Sequence, residues 1–484
     1  MRKFSVLALL LILLGAFVVR LYKFDAPVAD WHSWRQADTS AVSRNFVKDG
    51  FDILHPKFDD LSMGVSLIDN PQGYRFVEFP IYNVVQAALF KYVGQFSVEQ
   101  WGRLVTIFSA LISTFFIYVL VKRHVSRNAA LFSAFFFAFI PYNIYYGRAI
   151  LPDPSMVMAI LGGIYLFDLW IETARLKIYD WRFILALVFT VSAILLKPFA
   201  LFFALPMLYL AFSKFGKALV KKWQLYLFLA LSLLPLGFWQ VWMRQFPEGI
   251  PRNDWLFNGN HIRFKGAFFH WLFGQRIGQL ILGYFGLPVV ILGILRKITQ
   301  KEGWFFFSFL FSSLLFMSVV ATGNVQHDYY QILIIPTLAI FFGKGADMIV
   351  RNAGGIFNKY ISLTTLFVCI VFMLAFSWFE VRDFYNIQHP EIVQVGKLVD
   401  EKTPKDAKVL APYGGDTTLL YHTNRKGWPV FDRSLPRFIK EGAQYMVFVN
   451  PGDPELNFKN YFVVLSEDDK YIVYDLTKPL KPIK

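Results

Sequence analysis

Long runs of apolar residues, separated by short polar stretches, fill the first three quarters of the chain. A helix needs about 20 predominantly apolar residues to cross a bilayer. Such runs fall near residues 4–19, 104–121, 128–147, 154–171, 182–196, 198–212, 224–243, 277–295, 304–321, 331–346 and 360–379, which predicts about eleven crossings. The segment from Pro80 to Gly94 has a different pattern. Ile81, Val84, Val85, Ala88, Leu89 and Tyr92 recur at helical spacing, but the stretch is too short to span and is expected to lie in the interface as an amphipathic helix. After Glu380 the pattern becomes that of a small soluble α/β domain. Its helix-like stretches are 391–402 and 434–441, and its strand-like runs are 408–411, 445–449, 461–465 and 471–475. The expected fold is therefore an α-helical polytopic membrane protein. Its membrane domain covers residues 1–379, with interfacial helices in the outer segment 23–103, and a small α/β domain covers 380–484.

Charge gives the topology. With the first span running from inside to outside, Lys122, Arg123 and Arg127 fall on the side of Arg2 and Lys3, as do Arg175, Lys177 and Arg182, the Lys214–Lys222 cluster, Arg296, Lys297 and Lys301, and Lys344, Arg351 and Lys359. The net charge of +15 is thus spent on inner loops and gives no reason to expect a nucleic-acid partner. Met1-Arg2-Lys3 and the run behind it read as an uncleaved first span, because Val18-Val19-Arg20-Leu21-Tyr22 offers no small-residue cleavage site. Residues 23–79 hold nine acidic residues against six basic ones, the reverse of the inner loops. The odd number of crossings places the α/β domain outside, with the segments 23–103 and 244–276. The single cysteine, Cys369, lies in an apolar run, so no disulfide framework or cysteine-based metal site is available.

Candidate chemistry gathers in the outer segments. Asp30-Trp31-His32-Ser33-Trp34-Arg35-Gln36-Ala37-Asp38-Thr39 puts two carboxylates, a guanidinium, a histidine and two indoles at the membrane surface. The indoles suit an interfacial anchor. Asp38 suits either the cap of a helix over Thr39 to Lys48 or a general base or metal ligand. In Tyr146-Gly147-Arg148-Ala149-Ile150-Leu151-Pro152-Asp153-Pro154-Ser155-Met156, the prolines hold Asp153 in a rigid turn, where it is either a cap or a functional carboxylate with Arg148 nearby. Lys197 lies between two apolar runs, and an ammonium at that depth is relieved by an anionic lipid headgroup or by snorkelling. The loop around His327, Asp328 and Tyr329 completes the set. Asp38, Asp153 and His327 together are a compatible ligand set for a divalent metal; no other cofactor is signalled. With no phosphate-binding P-loop and no glycine-rich dinucleotide turn in the chain, a donor must arrive through the membrane.

A first span followed by an acidic outer motif, then a Tyr-Gly-Arg…Pro-Asp-Pro-Ser-Met turn, then Lys197-Pro198 at a hairpin of spans, resembles the prokaryotic membrane glycosyltransferases of the C-type fold. The branch it resembles holds the dolichyl-phosphate-mannose protein mannosyltransferases and aminoarabinose lipid A transferases, and the likeness covers roughly residues 1–350. The resemblance implies inverting transfer of a sugar from a polyprenyl-phosphate donor to a lipid, glycan or protein acceptor at the outer face of a prokaryotic cytoplasmic membrane. It makes Asp38 the catalytic carboxylate, with Asp30 in reserve, and matches Asp153 to the aspartate of the second outer loop. Lys197, with Arg35 or Arg148, would take the donor phosphate. Glu78, His327, Asp328 and Tyr329 are the candidate substrate contacts. Two departures stand out: Asp38 is followed by Thr39 where relatives often show Asp-Glu, and Glu78-Phe79-Pro80 stands where they commonly carry Lys-Pro-Pro. The competing reading is a non-enzymatic lipid or solute transporter, for which paired halves with interrupted helices are the usual mark. No such repeat is evident.

Overall fold

The computed structural model describes residues 2–355 and 358–481, with side chains from residue 5 onward. Met1, the inner-side charges of Arg2 and Lys3 and the last three residues of the 380–484 domain lie outside those descriptions. Two compact units emerge. One comprises Met1–Phe24, Arg103–Trp239 and Asn253–Phe384; the other comprises Asp25–Gly102, Gln240–Arg252 and Tyr385–Lys484.

The first unit is helical. Each of the eleven apolar runs forms helix. Among the described residues, six helices are long and apolar enough to cross a membrane, seven if the bent pair Gly266–Ile281 and Gly286–Leu295 is one span. Ser5–Arg20, Arg127–Phe139, Trp181–Leu196 and Phe305–Val319 are shorter apolar helices. Asp153–Ile171 and Asp328–Asn352 are buried along most of their apolar length, whereas Trp223–Met243 exposes most of its own. Close packing of the central helices depends on small residues, as is usual where lipid removes the hydrophobic drive to associate. A Cβ on Gly343 would come within 2.0 Å of Ser133 Oγ, and one on Gly345 within 1.9 Å of the Val289 carbonyl.

Charges buried at one end of this bundle are paired. Lys344 donates to Glu302, with both side chains fully buried, and Arg296 Nη1 lies 2.9 Å from Asp347 Oδ2. Removing one partner of such a pair strands the other charge and costs about 3–5 kcal/mol, while replacing both by apolar residues is often neutral. Lys344→Met is therefore expected to lower thermal stability in detergent, and Lys344→Met combined with Glu302→Leu to regain most of it.

The second unit holds a five-stranded sheet in the order β2-β1-β3-β5-β4. The strands are β1 (Lys408–Leu410), β2 (Lys426–Trp428), β3 (Ala443–Val449), β4 (Phe462–Asp468) and β5 (Tyr471–Pro479). β1 runs parallel to β2 and β3, and β5 antiparallel to β3 and β4. The predicted helices and strands all form, at Pro390–Lys402, Leu435–Lys440, β1, β3, β4 and β5.

The sequence-based boundary at 379/380 follows composition, whereas the units follow contact, and residues 25–102 fold with the C-terminal sheet. The reason is direct pairing. Gly427 N donates to the Asp59 carbonyl at 2.9 Å and Leu61 N to the Gly427 carbonyl at 2.7 Å, so the outer segment bridges to the edge strand β2 at Asp60. Leu61 then enters the core made by Leu410, Trp428, Phe438 and Met446. The amphipathic segment does form a helix, Ile81–Ala88, extended by a wider turn to Val93. Its polar face is the packed one. Asn83 Nδ2 donates to the Thr39 carbonyl at 2.7 Å and Ser43 Oγ to Gln86 Oε1 at 2.8 Å, while Val85, Tyr92 and Val93 are exposed.

Candidate active site

The helix Ser33–Asp49 carries the first candidate cluster and is buried along most of its length. It begins at Ser33, after His32 in a left-handed conformation (φ 53°), and not at Thr39. Asp38 is thus inside the helix and caps nothing. Its Oδ2 lies 2.7 Å from Arg75 Nη2, and its Oδ1 accepts a hydrogen bond from the Thr417 hydroxyl at 2.6 Å. Burial holds the Asp38 carboxyl above its ordinary value, against the pull of Arg75, Thr417 and Arg35 in the other direction. Arg75 is itself fixed over the Phe58 ring at 4.8 Å.

Beside this pair, Arg35 Nη2 donates to both oxygens of Glu78, at 2.8 and 2.9 Å. The guanidinium proposed for a donor phosphate and the carboxylate standing in place of the family's usual lysine therefore satisfy each other. Asp30 accepts from Gln36 Nε2 at 2.7 Å. The helix is braced from several directions. Arg44 pairs with Asp59 and lies over the Tyr421 ring at 4.2 Å, Thr418 Oγ1 donates to Ser33 Oγ at 2.9 Å, and the His422 ring meets the Val28 carbonyl at 2.9 Å.

Four residues here were not among the candidates read from sequence: Arg75, Asp60, Asp416 and Thr417. The Asp60 carboxyl is pushed up to about 7, mainly by burial and further by Asp38, while the Ser62 N–H and hydroxyl oppose the shift. Burial also raises Asp416, which precedes Thr417. The adjacent Asp59-Asp60 pair and the Gly414-Gly415-Asp416-Thr417-Thr418 turn, with both glycines at positive φ, were the local signals available. Because the folded-state value of Asp60 is raised, its protonated form is favoured on folding; that stability is complete below the ordinary value near 3.8 and is lost as pH rises through about 7. Asp60→Asn is expected to flatten this part of the stability profile, which paired thermal melts of wild type and variant across that window would reveal.

The second cluster lies in the helical unit. Asp153 is the first residue of the helix Asp153–Ile171, whose N-cap position is Pro152. Its Oδ1 accepts from Lys197 Nζ at 2.7 Å, and its Oδ2 is buried with no donor among the described residues. Lys197 ends the helix Trp181–Leu196 in an extended conformation. Its ammonium stands 5.5 Å and 5.8 Å from the ring centres of Tyr329 and Tyr330. It does not snorkel to water: the side chain is 9% exposed, and a carboxylate and two aromatic faces replace hydration.

Asp328 sits behind those rings, accepting from the Tyr146 hydroxyl at 2.6 Å, with Arg276 at 3.8 Å. The Tyr142 hydroxyl donates to the Asp328 carbonyl at 2.6 Å. His327 packs against Trp255 and Tyr330. Arg148 is buried, donating to the Lys23 carbonyl at 3.2 Å with its guanidinium 5.4 Å from the Tyr145 ring centre.

The expected metal set of Asp38, Asp153 and His327 does not assemble within either unit. Asp38 belongs to one unit, and Asp153 and His327 to the other. Among the described residues, no three His, Cys, Asp or Glu side chains gather as a metal-binding group. Each aspartate instead has a basic side chain where a cation would sit.

The helical fold with its small sheet is that of the C-type membrane glycosyltransferases. It is similar over 98% of both chains to ArnT from Cupriavidus metallidurans bound to undecaprenyl phosphate, at a TM-score of 0.64 and 13% identity. The oligosaccharyltransferase AglB from Archaeoglobus fulgidus, in complex with an inhibitory peptide and a dolichol-phosphate, matches at a TM-score of 0.56 and 11% identity, over 96% of this chain and 73% of that one. Residues 80–242 match the family model of dolichyl-phosphate-mannose-protein mannosyltransferase, so the resemblance read from the motifs is borne out. No curated protein matches by sequence.

Proposed function

We propose that this protein transfers a sugar, with inversion, from a polyprenyl-phosphate donor to a lipid, glycan or protein acceptor. The fold it shares end to end with a transferase bound to undecaprenyl phosphate is the observation that carries this reading. Eleven crossings and outward-facing chemistry are read from the distribution of basic loops, and a prokaryotic cytoplasmic membrane location from the family resemblance.

In this reading Asp38 acts on the acceptor. As the acceptor heteroatom bonds to the anomeric carbon, its proton passes to the carboxylate and the bond from that carbon to the phosphate oxygen breaks, leaving the electron pair on the phosphate. Arg75 and Thr417 orient the carboxylate and oppose the rise that burial imposes on it. A phosphate leaving group needs no strong acid, so one carboxylate suffices. Lys197 serves the departing phosphate, exchanging the Asp153 carboxylate for it, and the unpaired Asp153 Oδ2 is available to a sugar hydroxyl. Arg148 and, once released from Glu78, Arg35 are further phosphate partners. Glu78, His327, Asp328 and Tyr329 remain candidate substrate contacts, and Asp30 the reserve base.

The test is transfer of radiolabelled sugar from a panel of polyprenyl-phosphate donors in membranes with and without the protein. Label reaching an acceptor only when both donor and protein are present is the expected outcome. Equal transfer without the protein, or from a nucleotide sugar with no lipid carrier, would sink the reading.

A further inference from the structure

The end of the helical bundle away from Asp153 and Lys197 holds a cavity. The helix Asp153–Ile171 runs 19 residues from one to the other, roughly 27 Å at about 1.5 Å per residue. Around its far end is a polar cavity of about 550 Å³, whose walls include Arg123, Asp168, Glu172, Lys214, Lys301 and Glu302. Its charges are mostly matched. Arg123 Nε and His124 Nε2 reach Asp168 Oδ2 at 2.6 and 2.9 Å, Lys214 pairs with Glu172 at 3.2 Å, and Glu302 is taken by Lys344. Lys301 is the exception: it is exposed at the cavity and has no ion pair or hydrogen bond among the described residues.

An apolar groove of about 620 Å³ adjoins this cavity and shares Tyr209 with it. It lies between the helices Ala204–Phe215 and Phe305–Val319 and is lined by Leu205, Leu208, Phe212, Phe307, Phe311 and Leu314. The partition between cavity and groove is built. Trp304 N donates to the Tyr209 hydroxyl at 2.8 Å, and Gly303 (φ +51°) lets the chain pass where a Cβ would meet that oxygen at 2.0 Å.

We infer that cavity and groove form a binding site for one anionic glycerophospholipid of the leaflet at the basic end, with its phosphate at Lys301 and an acyl chain along the groove. Free cationic charge beside an otherwise neutralised cavity selects a phosphate, and an almost wholly apolar groove selects a tail. Length favours an acyl chain over a polyprenyl one: from Trp304 to Leu314 is about 15 Å, half of a hydrocarbon core of about 30 Å. The phosphate position at Lys301 lies at the far end of the helix Asp153–Ile171 from Lys197, so it is not the donor phosphate position of the proposed reaction.

The protein, reconstituted in phosphatidylcholine nanodiscs, would be labelled with a trace of phosphatidylglycerol bearing a photoreactive tail and the labelled peptides mapped. Label is expected on the Leu205–Phe212 and Phe307–Leu314 segments. Lys301→Ala should reduce it about fivefold and Lys301→Arg should restore it, since one basic group near a lipid surface is worth about that factor. Labelling indifferent to Lys301→Ala, equal labelling by a phosphatidylcholine probe, or displacement by polyprenyl phosphate at lower concentration than by phosphatidylglycerol would each overturn the assignment. Sugar transfer is not part of this measurement, so its failure and failure of the transferase reading are separable.

Discussion

Asp38→Asn is expected to leave the protein folded and to lower kcat/KM for sugar transfer by about 10²–10⁴, the usual worth of a positioned general base. The substitution keeps the shape of the side chain and an oxygen to accept from Thr417 or Arg75, but removes the group able to take a proton. Burial raises the carboxyl, so more alkaline conditions than usual are needed to ionise it, and the acid limb of the wild-type pH–rate profile should lie above the ordinary carboxylate range. Arg75→Met removes the strongest opposing influence and should move that limb further toward alkaline pH. Transfer assays of wild type and both variants across pH check these points together. A fully active Asp38→Asn would shift the role to Asp30.

Lys197→Met should show two losses that can be told apart. Stranding Asp153 as a buried, uncompensated charge is expected to cost about 3–5 kcal/mol of stability, read as a lowered melting temperature in detergent. Loss of the ammonium that would hold the departing phosphate should also cost about 10²–10³ in kcat. Adding Asp153→Leu recovers stability, because both charges are gone, but leaves transfer lost. Recovery of transfer in the double variant would reduce Lys197 to a structural counterion of Asp153.

Much of this architecture was legible because it depends on local pattern. Each of the eleven apolar runs proved helical, and the strand-like runs found β1, β3, β4 and β5. β2 escaped because Lys426-Gly427-Trp428 is three residues long with a glycine at its centre, too short for a period to show. Asp38 and Lys197 were conspicuous as single residues, but their partners were not. Asp38 meets Thr417 across 379 positions, and Lys197 meets Asp153 across 44. Capping was a fair local reading of Asp38 until the helix proved to start at Ser33. Lys197 at membrane depth suggested an anionic partner; the structure supplies a carboxylate from the protein itself.

The joining of the outer segment to the C-terminal sheet also sets an order of events during synthesis. The helix bearing Asp38 is made early, yet its contact with Thr417, 379 positions later, and the bridge of Asp60 to Gly427 wait for residues made much later. Closing so long a loop is slow compared with forming local helices. The candidate catalytic carboxylate is therefore assembled only after Thr417 has been made. A nascent chain that has not yet reached Thr417 lacks the hydroxyl that holds that carboxylate, however much of its helical unit has already formed.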